Sequence, residues 1–349
     1  VRHIALPKPG DWRQFCIQIA RLHARALDRA RPLWEAYIIE GLDNVEGLPP
    51  GSFAMFLKIH HAAIDGATGV ELMGALHDLE PVAPPSGRAG HRRTGATNAG
   101  NPDIEMLRRV AGGLIRQPLG VLEMIGKSLP AWQRVREGKR EQRFRSLGEK
   151  ERTRFNDRVS AHRVFGAVNF DLREVVAVKS SVEGATVNDV MLAIVSGAMR
   201  SYLQAKGELP HGSLVTGAPV NVRADAERGT GGNLVSMMSI ALRTDVADPL
   251  GRLRQVHEAA VNSKAYMNAV GARLLTDWTN RLPAQVTALG FRAAAAAGLL
   301  SAGKPVFNTI VTNVPGPQVP LYFAGARLVR SFGAGPCVDG MGMFQVVTS

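Results

Sequence analysis

An α/β chain built as two halves is what this sequence predicts, on three observations. Residues 53–59 alternate, with Phe53, Met55, Leu57 and Ile59 set against Ala54, Phe56 and Lys58, the period of a strand with one strongly apolar face. Past a polar elbow, HHAAIDG, the period changes: Val70, Met73, Leu76 and Leu79 recur every three residues, as on one face of a helix. At 349 residues the chain also exceeds the usual size of one hydrophobic core, and strand-like and helix-like runs appear again beyond residue 161.

Taken in order, residues 12–30 carry Phe15, Ile19, Leu22 and Leu27 at helical spacing and predict an amphipathic helix ended by Arg31 and Pro32. Residues 33–42, rich in Trp, Tyr and Ile and closing at Gly41, predict a strand. Within it Trp34 reads as core and Glu35 as a partner for a nearby base. A loop, NVEGLPPGS, leads into the strand that enters the elbow. Residues 81–103 are dominated by Pro, Gly, Ser, Thr, Asn and charge and predict a linker. Residues 104–132 have helical periodicity with basic punctuation and a break at Pro118. Such a helix either packs on its own protein or lies on a membrane or lipid surface. Residues 134–163 hold eleven Lys or Arg against five Asp or Glu with few apolar groups, as in a solvated crossover that raises the local positive potential.

The second half begins with VFGAVNFDLREVVAVKSS, read as strand, turn and helix start. ATVNDVMLAIVSGAMRSYL predicts a helix, because Thr186 caps it and Asp189 stands at the third helical position of a capping box. Asp189 then needs no role beyond the cap and the helix dipole. VTGAPVNVR and NLVSMMSIAL read as strands around a polar loop, residues 250–302 as helical with a break at Pro283, and KPVFNTIVTNVPGP as a β-branched strand ending in a turn. That strand suits the closing of a cleft, with Thr312 and Asn313 as hydrogen-bond donors, or an ordinary sheet edge.

The elbow carries the chemistry. His60 and His61 stand at a strand end, where the strand fixes the backbone and leaves side chains free to project into a cleft. An imidazole, with an unperturbed pKa near ~6.5, takes a proton from a hydroxyl at neutral pH and returns it to a leaving group. Adjacent strand residues point to opposite faces, so one histidine of the pair is a candidate for a supporting or core role. Asp65 and Gly66 form a D-G turn signal, with Gly66 free of a Cβ at a tight approach. A metal reading lacks further ligands: there is neither H-E-x-x-H nor paired-cysteine spacing. A serine nucleophile lacks its G-x-S-x-G elbow.

Composition bounds the partners. A formal net charge of +12 calls for nucleic acid, an anionic lipid surface or a phosphate-rich ligand, or else marks a basic solvated surface. No zinc finger, RNP-like motif or interleaved aromatic series supports nucleic acid, and none is expected as a partner. Two cysteines, Cys16 and Cys337, have no redox or metal spacing, which suits a reducing cytosol. The apolar runs at 190–199 and 293–300 fall short of the ~20 residues of a membrane span.

The pattern HHxxxDG, carried by His60, His61, Asp65 and Gly66, resembles the signature of the coenzyme A-dependent acyltransferase superfamily, which includes chloramphenicol acetyltransferase-like enzymes and peptide-synthetase condensation domains. PLWEAYIIEGL, VNDVMLAIVSGAMRSYL, GNLVSMM and TNVPGP follow in the order and rough spacing of the bacterial wax ester synthase/diacylglycerol acyltransferase family. The resemblance implies two chloramphenicol acetyltransferase-like α/β domains with mixed sheets flanked by helices and a tunnel between them. The expected division is an N-terminal domain over 1–80, a linker and helical crossover over 81–160, and a C-terminal domain over 161–349, with further family segments expected before Val1 and after Ser349. It implies an O-acyltransferase that moves a long-chain acyl group from acyl-CoA, a co-substrate with no other cofactor and no metal, to a diacylglycerol or fatty alcohol. His61 would be the general base, His60 its support, Asp65 the brace of the elbow and Gly66 the turn. Asn188 and Asp189 would lie near the active site, Arg223 would pair with a carboxylate such as Asp65, and Asn188 or the Thr312 and Asn313 region would meet the oxyanion. The protein would work in the cytoplasm, with peripheral contact to membrane or lipid inclusions. A carrier-protein-dependent or polyketide-associated acyltransferase of the same superfamily and a non-catalytic lipid-surface protein remain the alternatives.

Overall fold

A computed structural model describes residues 1–61, 66–82, 151–221, 235–270, 293, 305–314, 316 and 319–348. Asp65, Arg223, the linker beyond residue 82, the run at 104–132, the basic stretch before residue 151 and the helical run beyond residue 270, apart from residue 293, lie outside the described residues.

The first half holds a mixed three-stranded sheet, β1 (Arg2–Ala5), β2 (Trp34–Glu40) and β3 (Ala54–Ile59), in that order. β1 runs parallel to β2 and β3 antiparallel to it, with Trp34 opposite Ile59, Ala36 opposite Leu57 and Ile38 opposite Met55. Helix α1 (Trp12–Ala24) starts where the Asp11 carboxylate accepts the Gln14 N–H at 2.7 Å. Its Phe15, Ile19 and Leu22 pack with Tyr37, Ile39, Leu42 and Val45 into one core, with Ala54 and Phe56 against it.

α1 ends six residues before the predicted limit at residue 30. The Lys58 ammonium donates to the carbonyls of Leu22 and His23, each at 3.1 Å, and to that of Arg25. It thereby takes up carbonyls that a longer helix would bond internally, at the end where the dipole favours a cation. Trp34 also departs from its reading: it opens β2 and is 48% exposed, whereas Glu35 accepts the Tyr37 hydroxyl at 2.7 Å and faces Arg2 at 3.9 Å.

Beyond the elbow, helix α2 (Gly66–Leu76) leads to an antiparallel bridge between Asp78 and Tyr322, with reciprocal backbone bonds of 2.7 and 2.8 Å. This bridge ties the first half to the end of the chain.

The second half holds helices α3 (Leu172–Ser180), α4 (Val187–Ala205) and α5 (Pro249–Val270). Its sheet, also mixed, is ordered β5 (Val235–Ala241), β4 (Val215–Asn221), β6 (Thr309–Val314) and β9 (Phe344–Thr348), and a two-residue ribbon, β7 (Tyr322–Phe323) with β8 (Ala326–Arg327), stands apart. β4 pairs antiparallel with β5 and parallel with β6, and β6 parallel with β9. Leu192, Met199, Leu203, Leu214, Ile240 and Val256 form its core. The strand predicted at the start of this half is absent: residues 164–170 lie outside any helix or strand, with Val164 98% exposed.

The described end of the basic crossover is anchored, not merely solvated. Asn156, 2% exposed, accepts from the Thr153 N–H at 3.1 Å and from the Asn308 amide at 2.9 Å, and donates to Phe307 and Gly340 carbonyls at 3.0 Å each. Asn308 also donates to Glu151 and accepts from the backbone N–H of Val215, the first residue of β4.

Candidate active site

The cross-strand register sorts β2 and β3 into two faces. Tyr37 and Ile39 share one with Phe56 and Ala54, which meets α1; Ala36 and Ile38 share the other with Leu57 and Met55. The alternating apolar residues Phe53, Met55, Leu57 and Ile59 are therefore not the core side of the first sheet. They line a cavity of 2470 Å³ that follows β3 to its end.

His60 and His61 line that cavity, the first half-buried and the second exposed. The His60 N–H donates to the Leu33 carbonyl at 2.9 Å, so the β2–β3 ladder continues one bond past Ile59 and holds the elbow's backbone. Gly66 is the first residue of α2, as a turn into a helix requires.

The opposite wall comes from the second half. Thr312 and Asn313 of β6 and Phe344 and Val346 of β9 line the same cavity. So does the segment running back over β9, where a Cβ on Gly333 would strike Val346 and one on Gly335 the Phe344 ring. Only glycine lets the backbone lie that close.

Asn188, at the start of α4, is brought to this wall by the Asn313 amide, which donates to its Oδ1 at 3.5 Å. Its neighbour Asp189 turns inward and is 3% exposed. The carboxylate accepts the Thr186 N–H and hydroxyl at 2.8 Å each and meets His257 Nδ1 at 2.9 Å, the capping box read from sequence with a histidine from α5 added. Asn188 thus stands by the cavity wall, and Asp189 secures the helix that carries it.

Sequence reasoning missed His23, Arg25, Arg29 and Arg163, which line the same cavity as the elbow. His23, Arg25 and Arg29 are close in sequence but Arg163 is not, and no spacing announces that they line one cavity. Burial first, then the charges of Lys58 and Arg163, hold His23 below the ordinary histidine range. Burial raises the Cys337 thiol, with Arg163 opposing, which keeps it protonated and a poor nucleophile. Among the described residues no three His, Cys, Asp or Glu side chains gather in a metal-binding group, and no helix is long and apolar enough to cross a membrane.

Two mixed sheets wall one cavity, with a histidine elbow opening into it, and define an α/β protein with a candidate site shared by its two halves. The model of the wax ester synthase/diacylglycerol acyltransferase catalytic domain matches residues 1–191, and that of the corresponding C-terminal domain matches residues 231–349. The chain belongs to this family and is an acyltransferase. It is 31% identical to a probable diacylglycerol O-acyltransferase of Mycobacterium tuberculosis, covering 98% of this chain and 72% of the relative. It is 32% identical to the O-acyltransferase WSD of Acinetobacter baylyi, covering 100% and 72%. The solved wax ester synthase/diacylglycerol acyltransferase of Marinobacter aquaeolei VT8 superposes with a TM-score of 0.62 at 25% identity, covering 100% of this chain and 70% of that one.

Proposed function

We propose that this enzyme transfers a long-chain acyl group from acyl-CoA to the hydroxyl of a diacylglycerol or long-chain alcohol, giving triacylglycerol or wax ester, with His61 as general base. The observation that carries this reading is the elbow histidine in an apolar-walled cavity that also receives Thr312 and Asn313. The cavity exceeds the ~300–1,000 Å³ of a site for one small molecule, which suits two substrates with long apolar parts.

His61 removes the proton of the acceptor hydroxyl as its oxygen attacks the thioester carbonyl. The tetrahedral oxyanion takes hydrogen bonds from amide or hydroxyl donors, for which Asn188, Thr312 and Asn313 are the candidates. Collapse breaks the carbon–sulfur bond, and His61 returns its proton to the leaving thiolate. His60 supports the elbow from its half-buried position, and Gly66 supplies the turn. The chemistry uses the acyl-CoA as co-substrate and calls on no metal and no resident cofactor. The enzyme works in the cytoplasm at the edge of a membrane or lipid inclusion, where its acceptors reside.

Thiol release from palmitoyl-CoA, measured with dioleoylglycerol and hexadecanol as separate acceptors, tests the reading. Acceptor-dependent release is the expected result, and the larger rate names the preferred product. No release with either acceptor from folded protein, but transfer from a carrier-protein thioester, would transfer the assignment to a carrier-dependent enzyme.

A further inference from the structure

The chain between α1 and β2 is tied at both ends to the last residues of β3. Lys58 holds the Leu22, His23 and Arg25 carbonyls at its start, and the His60 N–H holds the Leu33 carbonyl at its end. This loop carries Arg25 and Arg29, which line the cavity together with His23, Arg163 and the two histidines of the elbow.

The positive charges there are gathered without matching carboxylates. Among the described residues, no ion pair engages Arg25 or Arg29, and the Arg163 guanidinium donates only to the Ser160 and His162 carbonyls. Glu35, the acid opposite Lys58 in the sheet, accepts from Tyr37, faces Arg2 and favours the charge on Lys58, so it serves Lys58 and Arg2 and not the arginines of the cavity wall. Burial comes first in disfavouring a proton on His23 and on Lys58; the charges of Lys58 and Arg163 add to it at His23, and at Lys58 Glu35 opposes it more than Arg25 adds to it. Such a cluster is stabilised by an anion, and guanidinium groups match phosphate oxygens in geometry as well as charge. Lys58 is already committed to helix carbonyls, which leaves the arginines and His23 to receive it.

We infer that Arg25, Arg29 and Arg163, with His23 behind them, bind the phosphate groups at the nucleotide end of the donor thioester. This rests on the reading of acyl-CoA as donor. It orients that donor: phosphates at the basic wall, thioester at the elbow, and acyl chain along Leu57, Met55 and Phe53.

The test separates nucleotide binding from turnover. Adenosine 3′,5′-bisphosphate, which carries phosphates but no acyl group or thiol, is titrated calorimetrically into the wild-type chain, the Arg25→Ala/Arg163→Ala variant and Arg29→Glu, whose exposed position leaves the fold intact. The wild type binds, and both variants bind about tenfold or more weakly, as expected for lost charge-assisted hydrogen bonds. KM for palmitoyl-CoA rises by a similar factor, and the rise disappears with palmitoyl-pantetheine, which lacks the nucleotide. Equal binding by all three proteins, or none by the wild type, would overturn the inference. So would variants that lose binding to phosphatidylglycerol vesicles yet keep the bisphosphate, since the cluster would then serve a lipid headgroup. Bisphosphate binding lost in the variants, in a wild type that turns over no acyl donor, would uphold this site and remove the acyl-CoA reaction.

Discussion

Replacing His61 with alanine lowers kcat/KM for acyl transfer about a thousandfold while the protein stays folded. A positioned general base contributes roughly 10²–10⁴-fold, so the loss corresponds to about 4 kcal/mol of transition-state stabilisation. Exposed at the end of β3 and lining the cavity, the side chain is removable with little cost to the core. His60 makes the contrast. Half-buried and held through its backbone to Leu33, it acts on the elbow's position, and His60→Ala loses about tenfold. Initial rates on the two variants, with circular dichroism to verify folding, distinguish the roles; equal losses would dissolve the distinction.

Asn156→Ala destabilises the second half by about 3 kcal/mol. The side chain is fully satisfied and 2% exposed, and its removal leaves the Thr153 N–H and the Gly340 carbonyl short of a partner and takes one of the Asn308 amide's two acceptors. Each buried group left unpaired costs about 1–3 kcal/mol, reduced where neighbours relax. The damage spreads to the active site, because Asn308 precedes β6, the strand that brings Thr312 and Asn313 to the cavity. A lower urea midpoint for the second-half transition with an unchanged m-value is the expected signature. A midpoint equal to that of the wild type would show that the asparagine pair contributes nothing net.

What the sequence disclosed was local. The switch of period from β3 to α2 and the Thr186–Asp189 capping box both lie within a few residues, and both stand in the structure, except that α2 ends at Leu76 and leaves Leu79, read on its apolar face, outside the helix and 70% exposed. The mixed sheets and the cavity between halves follow the resemblance carried by the HHxxxDG elbow and the four segments that accompany it. Tertiary contacts set the rest. α1 stops where Lys58, from another element, takes its carbonyls, and no capping signal near residue 24 records that. β1 is four residues of mixed polarity, too short for a period. The sequence showed one strongly apolar face on β3, and periodicity alone does not say whether such a face packs in the core or lines a cavity, as this one does. The basic wall draws on residues 23 to 29 and residue 163, a meeting that only folding arranges.

The central claim is direct transfer: hydroxyl and thioester meet in one cavity, and His61 carries the proton between them without an acyl-enzyme. The most direct measurement mixes enzyme and palmitoyl-CoA without acceptor and follows thiol release through the first turnover, together with the intact mass of the protein. The account predicts no burst of thiol and an unchanged mass until dioleoylglycerol or hexadecanol is added, when thiol and ester appear together. One equivalent of thiol released before any acceptor is present, with a matching palmitoyl gain on the protein, would contradict it.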